Sequence, residues 1–181
     1  RTGRRVARSG ERPRRAAAGH RTARPPVKKR AAKPHQARRN THTGPRRPSR
    51  PGEPTALERE VIALTNDERE NAGCRAVSVD GALQRAAQDY AADMARTGHF
   101  DHVGQDGSKP WDRARKAGYK GSFVSENIAM GGDSAVTPPK VVRMWMDSPG
   151  HAQNIKRCAS TVTGVGRGTK GGRTYWVQMF G

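Results

Sequence analysis

The sequence predicts an α+β fold in which helices pack on a mainly antiparallel sheet. Three observations carry that prediction. Helical periodicities fill the earlier part of an apolar-rich segment. Strand-like stretches gather mostly at its end, around a glycine-rich turn. All nine Phe, Trp and Tyr residues lie beyond position 54 of the 181-residue chain. The folded part is therefore residues 55–181, one domain long enough to bury roughly two-thirds of its unfolded surface.

The first helix is announced by Thr55-Ala-Leu-Glu58, which has capping-box spacing. Leu57, Val61, Leu64 and Glu68 follow at helical intervals, Ile62 widens the stripe, and Gly73 supplies the stop. A second helix runs from just after Asp80 to Thr97, with Leu83, Ala87, Tyr90 and Met94 inward and Gly98 at its end. Ser108 to Ala117 reads as a short third helix closed by Gly118. Thr137-Pro-Pro-Lys opens a fourth, with Val141, Trp145 and Ser148 on one face. The stretch SFVSENIAM (122–130) alternates in part and is bounded by glycines, as a strand would be. STVTGVGRG (160–168) and RTYWVQMFG (173–181) form a predicted antiparallel hairpin.

Residues 1–54 are different in kind. They hold 18 Lys/Arg against Glu11 and Glu53, eight of the twelve prolines, and no Phe, Trp, Tyr, Leu, Ile or Met. Such a segment cannot bury enough apolar surface to offset its ordering entropy, so a disordered basic Arg/Pro/Ala-rich tail is expected. Most of the +19 net charge belongs to it, about +3 remaining for the domain. Without interleaved aromatics, its partner would be a polyanion bound without sequence preference: cell-wall polymer, nucleic acid or anionic lipid. Arg/Ala/Pro/Gly-rich sequence is also what translation from a misplaced start in GC-rich DNA produces. The chain opens at Arg1 with no apolar leader, so a signal peptide missing from this chain is an expectation. No apolar run approaches the ~20 residues that span a bilayer, so no transmembrane segment is predicted.

Chemistry could sit in three places. HFDHVGQDG is a loop in which His99 and His102 stand three apart, a pattern shared by metal pairs and by ordinary exposed histidines. In the 122–130 strand, Glu126 falls on the side of Val124 and Ile128. A carboxylate on an apolar face needs a partner, unless a bulge or an edge turns it to solvent. DSPGHAQN (147–154) brings Asp147, Ser148 and His151 together as nucleophilic site, metal ligands or helix cap. Ser148-Pro149 suits an N-cap and N1, which leaves His151 unexplained. Gly-x-Ser-x-Gly, His-Glu-x-x-His and a phosphate-binding loop are absent from the sequence.

Taken together, FDH, SENIAMG, VVRMWMDSPGHAQNI and GVGRG…YWVQMFG resemble the bacterial branch of the CAP superfamily (the SCP domain) over residues 55–181. That superfamily includes cysteine-rich secretory, antigen 5 and pathogenesis-related 1 proteins. The resemblance implies a three-layer α-β-α sandwich and a secreted or cell-surface setting. It also implies a cleft of two His and two acids that takes zinc, another divalent metal or a small ligand. Matched residue by residue, the cleft is His102, Glu126 and His151, with Ser148 where the second acid usually stands. Asp147 is adjacent but off the Trp145 face. A Cys74–Cys158 disulfide is likewise implied, the alternative being two reduced buried thiols. The leading functional expectation is a non-enzymatic ligand or metal binder. A metal-dependent hydrolase or protease, and a polyanion binder acting through the tail, are the alternatives.

Overall fold

A computed structural model describes residues 52–181. The basic tail up to position 51 and its expected polyanion partner lie outside the described residues. The elements are α1 (Ala56–Asn71), β1 (Ser78–Val79), α2 (Gly81–Thr97), α3 (Pro110–Lys116), β2 (Ser125–Gly132), α4 (Pro138–Met146), α5 (Pro149–Ile155), β3 (Val162–Lys170) and β4 (Arg173–Phe180). The four strands lie in the order β1-β3-β4-β2, antiparallel throughout except for the short β1–β3 pair. The expected α+β class and late hairpin are thus both present, with Gly171 and Gly172 at positive φ in the turn. Among the described residues no helix is long and apolar enough to cross a membrane.

The sheet is covered on both faces. Tyr175, Val177 and Met179 of β4 and Ile128 of β2 pack with Leu83, Ala87, Tyr90 and Met94 of α2. The alternate residues Trp176 and Phe180, with Val165 and Ala129, pack on the other face with Val61 and Ile62 of α1 and Val141 and Trp145 of α4. That period-two division makes the three-layer sandwich. On the α2 side β3 presents Gly164, Gly166 and Gly168, where a Cβ would run into the backbone of Leu83, Ala87 and Ala91. The glycine alternation is a contact surface. It lets helix and strand approach backbone to backbone, in register with positions four apart on α2.

Two expectations about helices need correction. The capping box of α1 forms, Glu58 Oε2 accepting the Thr55 N–H at 2.7 Å. Yet the buried face of α1 is Glu58, Val61, Ile62, Thr65 and Arg69, while Leu57 is exposed and Leu64 is half-buried. The face turned because its polar members have partners. Glu58 accepts from Arg167 N and from the Gln84 and Gln88 amides, Thr65 accepts from Gln178, and Arg69 donates to four carbonyls. Polar residues with satisfied hydrogen bonds can occupy a core that an apolar count alone assigns elsewhere. The second correction concerns Ser148, which lies beyond the end of α4 and not on its inward face. Asp147 is the C-cap of α4 and Ser148 the N-cap of α5, with the Ser148 N–H closing onto Trp145 O. With ψ at 117°, against 171° for Thr55, the Ser148 hydroxyl makes no cap hydrogen bond.

Candidate functional site

Glu126 enters the site on β2 and faces the α2 side of the sheet beside Ile128, as the alternation requires. Its side chain is 1% exposed and fully engaged. Oε1 lies 2.8 Å from His102 Nδ1, and Oε2 accepts from Arg113 Nη2 at 2.8 Å. The partner demanded by a buried carboxylate is therefore double: an imidazole from the 98–109 loop and a guanidinium from α3. An ionised carboxylate only accepts, so the Glu126 contact assigns Nδ1–H as the donor and leaves Nε2 of His102 as the free lone pair. The His102 side chain is 48% exposed. Its pKa is raised above the ordinary histidine value, chiefly by the hydrogen bond to Glu126 and against the opposing effect of burial.

Arg113 is the residue that sequence reasoning missed. Its guanidinium stacks 3.5 Å from the Tyr90 ring centroid and donates to Ser108 O, His102 O and Glu126. The Tyr90 hydroxyl bonds Asp101 O, and burial holds its pKa up at about 12, so it stays a donor. The only hint in the sequence was indirect: a carboxylate on an apolar strand face needed a partner, and α3 carries three basic residues. His99 is not part of the cluster. Its Nε2 contacts Val103 O and closes the loop on itself.

His151 comes from α5, which is held along the free edge of β2. Asn154 donates to Glu126 O and to Asn127 Oδ1, and Asn127 in turn donates to His151 O. The neighbouring edge carbonyl, Ile128 O, accepts from the Trp145 indole. These side chains cap an edge strand that would otherwise present open acceptors. The His151 pKa is lowered, first by burial and then by the nearby charge of His102. His102 and Glu126 are in direct contact, and His151 is near enough to feel the charge of His102, while Asp147 is exposed and Ser148 lies at the α4–α5 junction.

The far end of α5 is tied down separately. Cys74, just past α1, forms a disulfide with Cys158, just past α5, as expected. Beside it Arg69, fully buried, donates to Ile155 O (2.7 Å), Ser160 O (2.8 Å), Arg157 O and Arg75 O (both 3.0 Å).

In chemical terms, the cluster offers two imidazoles of different proton affinity and one carboxylate already committed. Among the described residues, no three His, Cys, Asp or Glu side chains stand in an arrangement that could hold a metal ion. Glu126 fits the role of a carboxylate behind a ligating histidine better than that of a ligand. A separate cavity of about 400 Å³ opens between α2 and α3, lined by Asp89, Asp93, Asp106, Asp112 and Arg113 among others, and it excludes His102, Glu126 and His151.

Residues 62–180 match the family model described as CAP, the cysteine-rich secretory protein family. The chain is 35% identical over 132 residues to the uncharacterized protein YkwD of Bacillus subtilis (strain 168), across 73% of this chain and 49% of that protein. It therefore spans about half the length of that relative. Among solved structures, an outer surface protein of Borrelia burgdorferi superposes with a TM-score of 0.63 at 20% identity, over 72% of this chain and 97% of that one. An extracellular SCP-domain protein of Bacillus anthracis str. Ames gives 0.59 at 22% identity, over 68% and 39%. At these identities the structural likeness speaks for the fold.

Proposed function

This chain belongs to the CAP, or cysteine-rich secretory protein, family, and on that premise we propose that it is an extracellular or cell-surface binding domain whose ligand site is the His102/His151 cleft. The ligand class is a divalent metal of borderline softness such as zinc, taken by two neutral imidazoles, with Glu126 orienting His102. A bound metal would supply a Lewis-acidic centre there; the chain's own residues supply the donors and fix their direction.

One observation carries the reading: His102 gives Nδ1 to a buried carboxylate, which sets the tautomer and leaves Nε2 as a lone-pair donor. Burial keeps His151 the less readily protonated of the pair, so it is available as a second donor at neutral pH. With only two protein donors, affinity should be modest and dependent on both. The extracellular setting is supported by the disulfide, which persists in oxidising compartments, and by the surface and extracellular descriptions of the two solved relatives.

Calorimetric titration of zinc into the full chain and into His102→Ala and His151→Ala tests the proposal. The chain carries three further histidines, His20, His35 and His42, ahead of the domain, so the difference between wild type and the double variant isolates the cleft. Each single variant should lose at least tenfold in that component. Equal binding by wild type and the double variant would end the metal reading.

A further inference from the structure

One guanidinium closes a ring around His102. Arg113 Nη2 donates to the main-chain oxygen of His102 at 3.0 Å and to Glu126 Oε2 at 2.8 Å, while Glu126 Oε1 meets the His102 ring at 2.8 Å. The same nitrogen thus grips both the backbone of His102 and the carboxylate that orients its side chain. Arg113 itself is fixed from a third side by Ser108 O and from below by the Tyr90 face. Its side chain is only 10% exposed, so the arrangement is a packed one and not a surface ion pair.

We infer that Arg113 is the positioning residue of the cleft, holding His102 in the one tautomer and ring orientation that present Nε2 to a ligand. This rests on the cleft reading above but makes a separate claim, about an imidazole and not about a metal. A carboxylate bonded through one oxygen only can rotate about its terminal torsion, which is broad and roughly two-fold. Engaging Oε2 removes that freedom and leaves Oε1 aimed at Nδ1. Holding His102 O stops the loop from carrying the ring away from the carboxylate. A lysine could supply the charge, but a single ammonium lacks the planar fork that serves Ser108 O, His102 O and Glu126 together.

The test uses Arg113→Lys, Arg113→Met and Arg113→Gln in the full chain with its disulfide intact. The first readout is metal-free: nitrogen-15 NMR of the His102 ring, at a pH well above the ordinary histidine value of ~6.5. Wild type should give the Nδ1–H form. Arg113→Met should give a mixture with the Nε2–H form, and Arg113→Lys should fall between them. The second readout is the His102/His151-dependent component of zinc binding, which should drop about 10–100-fold in Arg113→Met, the usual cost of losing an outer partner. Arg113→Lys should recover part of it. If Arg113→Met does not fold, Arg113→Gln and Arg113→Lys still decide through the tautomer. An unchanged tautomer in any folded variant that has lost the fork overturns the inference, whatever the metal does. If wild type binds no zinc in the cleft, the proposed function falls, while a tautomer shift still upholds the role of Arg113.

Discussion

Replacing Arg69 by Met should destabilise the domain by about 2–4 kcal/mol, although among the described residues no carboxylate partners this cation. The figure follows from its acceptors. Ile155 O and Ser160 O are buried contacts, whereas Arg75 O and Arg157 O lie at part-buried positions that water can reach. Two buried carbonyls left unpaired cost roughly 1–3 kcal/mol each. Removing a buried charge returns part of its desolvation cost, and the Met stem keeps much of the packing. Lys should do little better than Met, because a point charge cannot reach carbonyls spread around a planar fork. Urea unfolding of the oxidised chain measures the loss, with the m-value expected to stay constant. Amide exchange should localise it to α5 and the following turn, which are what Arg69 holds. A change below about 0.5 kcal/mol would mean that water replaces the guanidinium at no cost, and that burial of these carbonyls was misjudged.

Much of the fold was legible because the signals were local. Thr55 with Glu58, Asp80 ahead of α2, the glycines at 73, 98 and 118 and the Gly171–Gly172 turn each act within a few residues. Residues whose partners lie far along the chain were not legible. Arg69 reads as one more charge on an amphipathic helix, and its acceptors are 86 to 91 residues away at the buried end. The stripe on α1 was misread by about one residue for the same reason, since Glu58 and Thr65 are core residues only because Arg167 N and Gln178 meet them there.

The site divides along the same line. Glu126 could be singled out from alternation alone, as a carboxylate on an apolar face. His102 and His151 were placed by resemblance; His102 bonds Glu126, and His151 lies within reach of the charge on His102. Arg113 carried no motif, and its identity as the third partner depends on α3 folding back over Tyr90. Ser148 shows the opposite failure. The Ser-Pro pair correctly marked the start of α5, but the hydroxyl does not perform the bond that makes serine favoured there.

Three further outcomes are expected. Gly166→Ala should cost about 3 kcal/mol or more by driving a methyl into the Ala87 carbonyl, whereas Gly132→Ala, with open space around it, should stay within about 0.5 kcal/mol; thermal melts of the two compare them directly. Reducing Cys74–Cys158, which closes an 84-residue span, should lower stability by about 4–5 kcal/mol in the chain-entropy model, and a reduced protein equally resistant to urea would refute this. The third concerns pH, through the opposite shifts of the two imidazoles. His102 has its pKa raised in the folded state, first by Glu126, so its stabilisation is complete below the unfolded value of ~6.5 and is lost as pH climbs through the higher folded value. His151 has its pKa lowered, first by burial, so it adds no penalty above ~6.5 and destabilises the fold as pH falls from there toward its folded value. The two contributions therefore meet in a maximum near ~6.5, shallow because His102 is half exposed and screened. Zinc must displace the proton on His102, so cleft binding should keep strengthening as pH rises past ~6.5 and level off only above the raised His102 value. Glu126→Gln removes the carboxylate whose hydrogen bond, and then charge, raise that value, and should move the levelling point down toward ~6.5. Zinc titrations across this range in both proteins read the shift directly; identical profiles would mean that Glu126 does not govern the proton on His102.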